Sequence, residues 1–115
     1  MRKTHKITVS GAGSCRTPAL IGTLMKMKDR FPVSKVVFLD KDLKRFHKIE
    51  DYCKLLIKEF SPETEIIVTD DLDVGYSDCD FVFCQMRVGQ NAMRSLDEKI
   101  PLKYGLVGQE TCGPG

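Results

Sequence analysis

An α/β fold with a doubly wound, mostly parallel sheet is predicted by three observations in the 115-residue sequence. Short, almost wholly apolar runs alternate with longer segments whose apolar residues recur every three or four positions. The first apolar run leads straight into Gly11-Ala12-Gly13. The runs are β-branched and unbroken rather than alternating, as parallel strands covered on both faces require.

The elements follow in order. Lys6-Ile7-Thr8-Val9 reads as the first strand, and Ser10 to Pro18 as a glycine turn opening on a helix. Glycines let a backbone approach an anion, and a helix N-terminus offers free N–H groups and partial positive charge. Thr17 is placed as N-cap and Pro18 at the first helical position, where a missing N–H costs nothing. Leu20, Ile21, Leu24 and Met25 share one face of a helix running to about Asp29, ended by Phe31-Pro32. Lys35 to Leu39 is the second strand, with Asp40 at its carboxyl end.

The strongest helical pattern spans Asp42 to Phe60, where Phe46, Ile49, Cys53, Leu56, Ile57 and Phe60 form a continuous apolar stripe. Glu65 to Thr69 is a third strand, followed by a polar connection through Gly75. Asp80 to Cys84 is a fourth, then a turn through Gln85, Arg87 and Gly89. A helix from Asn91 to about Lys99 is stopped by Pro101. Right-handed β-α-β crossovers make this roughly the first half, and a little more, of a Rossmann-like sheet.

Composition excludes several classes. A net charge of +2 with scattered Lys and Arg gives no nucleic-acid surface. Lys41, Lys44, Arg45 and Lys48 read as a solvated helix face. No apolar run reaches the roughly 18 residues of a membrane span, and Met1 to Lys6 is not followed by the apolar stretch expected of a signal peptide. A cytoplasmic location is expected. The five cysteines lack a Cys-x-x-Cys pair and read as reduced thiols, Cys53 and Cys84 as core packing. Their spacing fits no common zinc site. The glycine-rich end, Gly108 to Gly115, suggests a piece of a longer protein.

Chemistry gathers where the strands end. Gly11 and Gly13, with Ser14 as a hydroxyl donor, suit a dinucleotide pyrophosphate, although Arg16 takes the third glycine's place in Gly-x-Gly-x-x-Gly. The same residues also fit an ordinary strand-to-helix turn. Asp40 stands where an acid accepts hydrogen bonds from an adenine ribose, which favours NAD over NADP. Lys41 and Arg45 beside it are able to meet a 2′-phosphate, and a plain turn aspartate is the other reading. Gln85, Arg87 and Gly89 are placed to face a cofactor or substrate. Arg94, Asp97 and Glu98 read from spacing alone as a surface ion-pair cluster. Cys112 beside Glu110 has no histidine near in sequence to make it a nucleophile.

The run from Gln85 to Gly115 is more specific. With Asn91, Arg94, Asp97-Glu98 and Gln109-Glu110-Thr111-Cys112-Gly113-Pro114-Gly115, it resembles the family 4 glycoside hydrolases, which are NAD- and metal-dependent. The resemblance extends over the whole chain, through Gly11 to Ser14, Thr17-Pro18, and Leu39 to Asp42 followed by Arg45. The ending with Cys112 looks most like the 6-phospho-α-glucosidase branch, with 6-phospho-β-glucosidases as the near alternative. The resemblance implies hydrolysis of a phosphorylated disaccharide or glucoside by oxidation at C3, elimination across C1–C2, water addition and re-reduction. It implies NAD and a divalent metal, usually manganese, as cofactors.

Gly11, Gly13, Ser14, Asp40 and Arg45 would then hold NAD. Arg94 would contact substrate, and Glu110 would tune the basicity of a downstream tyrosine. The resemblance sets the metal ligands, acid and base beyond Gly115, and Cys112 is not among them. It thus implies an N-terminal NAD-binding domain, truncated, without its catalytic part and inactive by itself, from an enzyme that is a homo-oligomer at full length. An open sheet edge and uncovered apolar helix faces, prone to self-association, are expected. An NAD-dependent 2-hydroxy-acid-type dehydrogenase and a non-catalytic nucleotide-binding domain are the competing functions.

Overall fold

Four parallel strands set the frame: β1 (His5–Ser10), β2 (Val33–Leu39), β3 (Glu65–Thr69) and β4 (Phe81–Cys84). They lie in the order β3-β2-β1-β4, so the chain reverses its direction of travel across the sheet beside β1. The computed structural model describes residues 3–86 and 89–108. Register aligns the carboxyl ends: Ser10 pairs with Leu39 and with Cys84, and Leu39 with Thr69. Every loop that leaves a strand forwards therefore emerges along one edge.

One face of the sheet is packed by α1 (Thr17–Lys26) and α2 (Leu43–Phe60). Ile7 and Val9 of β1 and Val36 and Phe38 of β2 meet Ile21, Met25, Phe46, Cys53 and Ile57, all buried. Phe38 stacks on Phe46 with ring centroids 4.7 Å apart. Burying an aromatic or branched side chain of this size contributes about 1.5–3 kcal/mol each, so this seam is the principal store of stability. Asp42 caps α2, accepting the Lys44 N–H at 3.1 Å.

The opposite face carries a five-residue helix, α3 (Leu72–Tyr76), where the sequence predicts only a polar connection. Asp71 caps it by accepting N–H groups of Asp73 and Val74. Thr8 donates its hydroxyl to the Gly75 carbonyl at 2.5 Å, fixing α3 to β1. Gly75 is needed for the seating: a Cβ there would lie 2.6 Å from Leu39 Cδ2. The chain continues through α4 (Gln90–Lys99) into a 3₁₀ turn at Pro101–Tyr104.

Other expectations shift at their margins. β1 runs through Ser10 and begins at His5, and β2 begins at Val33. α1 ends at Lys26, short of the expected end at about Asp29, because the following bonds tighten to three residues, Lys28 N–H to the Met25 carbonyl at 3.3 Å and Arg30 N–H to the Met27 carbonyl at 2.9 Å. Thr17 is not the N-cap: Arg16 holds that position without a side-chain cap, and the buried Thr17 hydroxyl donates to the Ala12 carbonyl at 2.7 Å. Cys53 is in the core, as expected, but Cys84 is exposed. Its strand β4 is a sheet edge, and Phe81 and Val82 are 48% and 46% exposed. Among the described residues no helix is long and apolar enough to cross a membrane.

Candidate functional site

A cleft of about 1090 Å³ opens along the carboxyl edge of the sheet. Its floor is the turn between β1 and α1, which is held from several sides. Gly11 N–H and Ala12 N–H both donate to the Leu39 carbonyl, at 2.9 and 3.1 Å, locking the turn to the end of β2. Gly11 has φ +80°, and a Cβ there would meet Met86 N at 2.7 Å. Both the left-handed backbone and the backbone of the β4 exit exclude a side chain at this position.

Asp40 works as a clamp. One carboxylate oxygen accepts the Gly13 N–H at 2.7 Å and the other the Asp42 N–H at 2.9 Å, tying the glycine turn to the start of α2. Asp40 is 9% exposed. Gly13 is part of this clamp rather than of the cleft lining: a Cβ there would lie 2.8 Å from both Asp40 Oδ2 and Arg45 Cβ. The Arg45 guanidinium also reaches the Gly13 carbonyl at 3.4 Å.

These internal bonds determine what remains for a ligand. Ser14 Oγ accepts the Arg16 N–H at 3.2 Å, which leaves its own proton free to donate outward. The Cys15 N–H meets no acceptor among the described residues, and exposed Cys15 lines the cleft. Arg16, Lys41 and Arg45 line it against Asp40 and Asp42. Two outward donors and a surplus of cations suit an anion at the mouth of α1.

Gly11, Ser14, Asp40 and Arg45 thus gather at one cleft, with Gly13 directly behind them. Gln85 joins them and donates its amide to the Thr17 hydroxyl at 3.4 Å, and Gly89 also lines the cleft. Arg94 is not among the lining residues; it sits on α4, past Asn91 and Ala92, and bonds Glu98 at 3.4 Å. Arg87, Glu110 and Cys112 lie outside the described residues. Sequence reading missed Leu72, Tyr76 and Met86, which complete the walls. Asp71, a capping aspartate before Leu72, was the available signal for α3. Among the described residues no three of His, Cys, Asp and Glu cluster to hold a metal ion.

Fold and cleft together define the class: a Rossmann-like α/β unit whose glycine turn and acidic strand end face one edge of a parallel sheet. The family 4 glycosyl hydrolase model matches residues 6–115, and the chain belongs to that family. A 6-phospho-α-glucosidase of Lacticaseibacillus paracasei is 49% identical over 113 residues, covering 98% of this chain and 26% of the relative. A maltose-6′-phosphate glucosidase of Bacillus subtilis is 44% identical over 114 residues, covering 99% and 25%. A crystal structure of a 6-phospho-α-glucosidase from gut microorganisms, in complex with NAD and Mn2+, superposes with a TM-score of 0.81 at 38% identity. That match covers 97% of this chain and 26% of the solved one. The chain therefore spans about a quarter of the length of the relatives it matches.

Proposed function

We propose that the chain is the NAD-holding part of a glycosidase that acts on 6-phospho-glucosides, of the α anomer. One observation carries the cofactor reading: the glycine turn and Asp40 are bonded into a single unit at the sheet edge, with donors left over for an anion. Gly11 allows the close approach, Gly13 keeps the clamp closed, and Ser14 donates its hydroxyl to the pyrophosphate. The lone pairs of Asp40 not taken by Gly13 and Asp42 accept from the adenine ribose. Arg45 adds charge beside the phosphates.

When bound, NAD supplies reversible oxidation of the sugar at C3, which makes the neighbouring C2 proton acidic enough for elimination of the glycosidic oxygen. Arg94 orients the sugar from α4, and Glu110 tunes the base that takes the C2 proton. A divalent metal is required by the whole enzyme, with its ligands outside this chain's described residues. The glycosidase names of the relatives and of the solved structure support this reading, and family membership leaves the dehydrogenase and sensing alternatives without support.

Calorimetric titration tests the cofactor half. The chain is expected to bind one equivalent of NAD+, with NADP+ weaker by about tenfold or more because its 2′-phosphate meets Asp40. Equal or tighter NADP+ binding overturns the assignment of Asp40. For the enzyme that contains this chain, turnover in D2O is expected to leave deuterium at C2 of the product; its absence overturns the elimination route.

A further inference from the structure

The cleft collects thiols. Of the four described cysteines, Cys53 is sealed in the core and Cys79 donates its thiol to the Tyr76 carbonyl at 3.4 Å. The other two, Cys15 and Cys84, are both exposed and both line the cleft. Among the described residues neither sulfur has a hydrogen-bond partner. Exposed thiols without a partner are the ones that oxidants reach. Neither side chain has a part in the NAD site proposed for this chain.

The two thiols come from different elements but flank one point of contact. Cys84 ends β4 and is the register partner of Ser10, and the Gln85 N–H donates to the Ser10 carbonyl at 2.8 Å. The Gln85 amide then reaches the Thr17 hydroxyl at 3.4 Å, at the start of α1. Cys84 is thus one residue from one end of that contact, and Cys15 two residues from the other. Arg16, Lys41 and Arg45 line the same cleft against Asp40 and Asp42, and both Asp40 oxygens already hold backbone N–H groups. A small disulfide that carries carboxylates is drawn to such a mouth.

We propose that Cys15 and Cys84 form a paired thiol-modification site, at which a small carboxylate-bearing disulfide of the glutathione class closes the cleft. The cysteine gives its proton to water, and its thiolate attacks one sulfur of the disulfide. A new S–S bond joins protein and small molecule as the disulfide's own S–S bond breaks, and the departing thiolate takes up a proton. The protein sulfur is oxidised and half of the disulfide is reduced, so no other reactant is needed. The adduct fills the space at the mouth of α1, and reduction by a thiol reopens it. Exclusion of NAD rests on the cofactor reading; the modification itself does not.

The test incubates the native chain with oxidised glutathione and, in parallel, with cystamine, a disulfide of opposite charge. Adducts are mapped by peptide mass spectrometry and are expected at Cys15 and Cys84, not at Cys53 or Cys79. Glutathione disulfide should react severalfold faster than cystamine at both sites, with its lead shrinking as salt is raised. Because both thiols open on one cleft, the first adduct should slow the second. Calorimetry on the modified chain should show loss of NAD+ binding, restored by dithiothreitol in the same sample. Adducts at neither thiol, or faster reaction with cystamine, overturn the site. So does an internal Cys15–Cys84 disulfide in place of the adduct, since the second thiol would then expel the small molecule. A second addition as fast as the first overturns the pairing, and undiminished NAD+ binding by the modified chain overturns the closing role. A parent chain that never binds NAD+ is a separate result: it removes the cofactor reading and the closing role with it, and leaves the mapped adducts standing.

Discussion

Asp40→Asn is the substitution that most sharply separates a clamp from a simple turn residue. The Asp40 carboxylate receives two backbone N–H groups, from Gly13 at 2.7 Å and Asp42 at 2.9 Å. A carboxylate accepts at both oxygens; an asparagine accepts at one, and its NH2 faces the other N–H as donor against donor. Hydrogen bonds to a charged group contribute about 1.5–3 kcal/mol each. Two such bonds set an upper range of about 3–6 kcal/mol, and water reaching the freed N–H at the rim lowers the expected loss to about 2–4 kcal/mol. For a domain of this size that lowers the melting temperature by roughly 10–20 °C. Thermal melts followed by circular dichroism, on the parent chain, Asp40→Asn and Asp40→Ala, read this directly. Asp42→Ala, which removes the cap of α2, is the comparison and should cost only about 1 kcal/mol. An Asp40→Asn melt within 2 °C or so of the parent would refute the clamp.

Four further outcomes are expected. Burial pushes the Cys53 thiol up to about 11, so Cys15 and Cys84, both exposed, should alkylate rapidly in native protein at pH 8 and Cys53 only after unfolding, as peptide mass spectrometry would report. Because the raised pKa belongs to the folded state, the stabilising contribution of neutral Cys53 is complete below the ordinary value of 9.0 and is lost as pH rises towards 11; urea midpoints should fall across that window. Gly75→Ala should destabilise by about 1–2 kcal/mol in a urea titration, since overpacking against the buried Leu39 exceeds the helix-propensity gain. Finally, the exposed edge strand β4 should promote self-association in sedimentation experiments, and Val82→Lys should shift the distribution towards monomer.

The sheet was legible because buried parallel strands are written as unbroken apolar runs, and α2 because Phe46, Cys53 and Ile57 repeat at helical spacing along 18 residues. α3 was not, since five residues containing Gly75 are too few for a period to emerge. Cys84 misled because an apolar run reads alike in a central strand and at an edge, and only topology puts β4 at the edge. In the candidate site, the glycine turn and Asp40 were legible from their places after strands. What spacing cannot convey is that Asp40 and Gly13, 27 residues apart, bond each other. Thr17 shows the same limit: its residue type suits an N-cap, but a buried hydroxyl one turn from the Ala12 carbonyl satisfies that carbonyl instead. Leu72 and Tyr76 reach the cleft only through the packing of α3 on β1 and β2, which no local pattern encodes.

The central claim is that this chain holds a dinucleotide at the carboxyl edge of its sheet, and amide NMR tests it most directly. In 1H–15N spectra of the 115-residue chain titrated with NAD+, saturable shifts should concentrate at Gly11 to Arg16, Asp40 to Asp42, and Leu72 to Tyr76. The Cys15 amide, without an acceptor among the described residues, should move most as it gains a phosphate oxygen. Shifts confined to the opposite end of the sheet, around Thr4, Lys28 and Ser61, or no saturable shifts at all, would contradict the account.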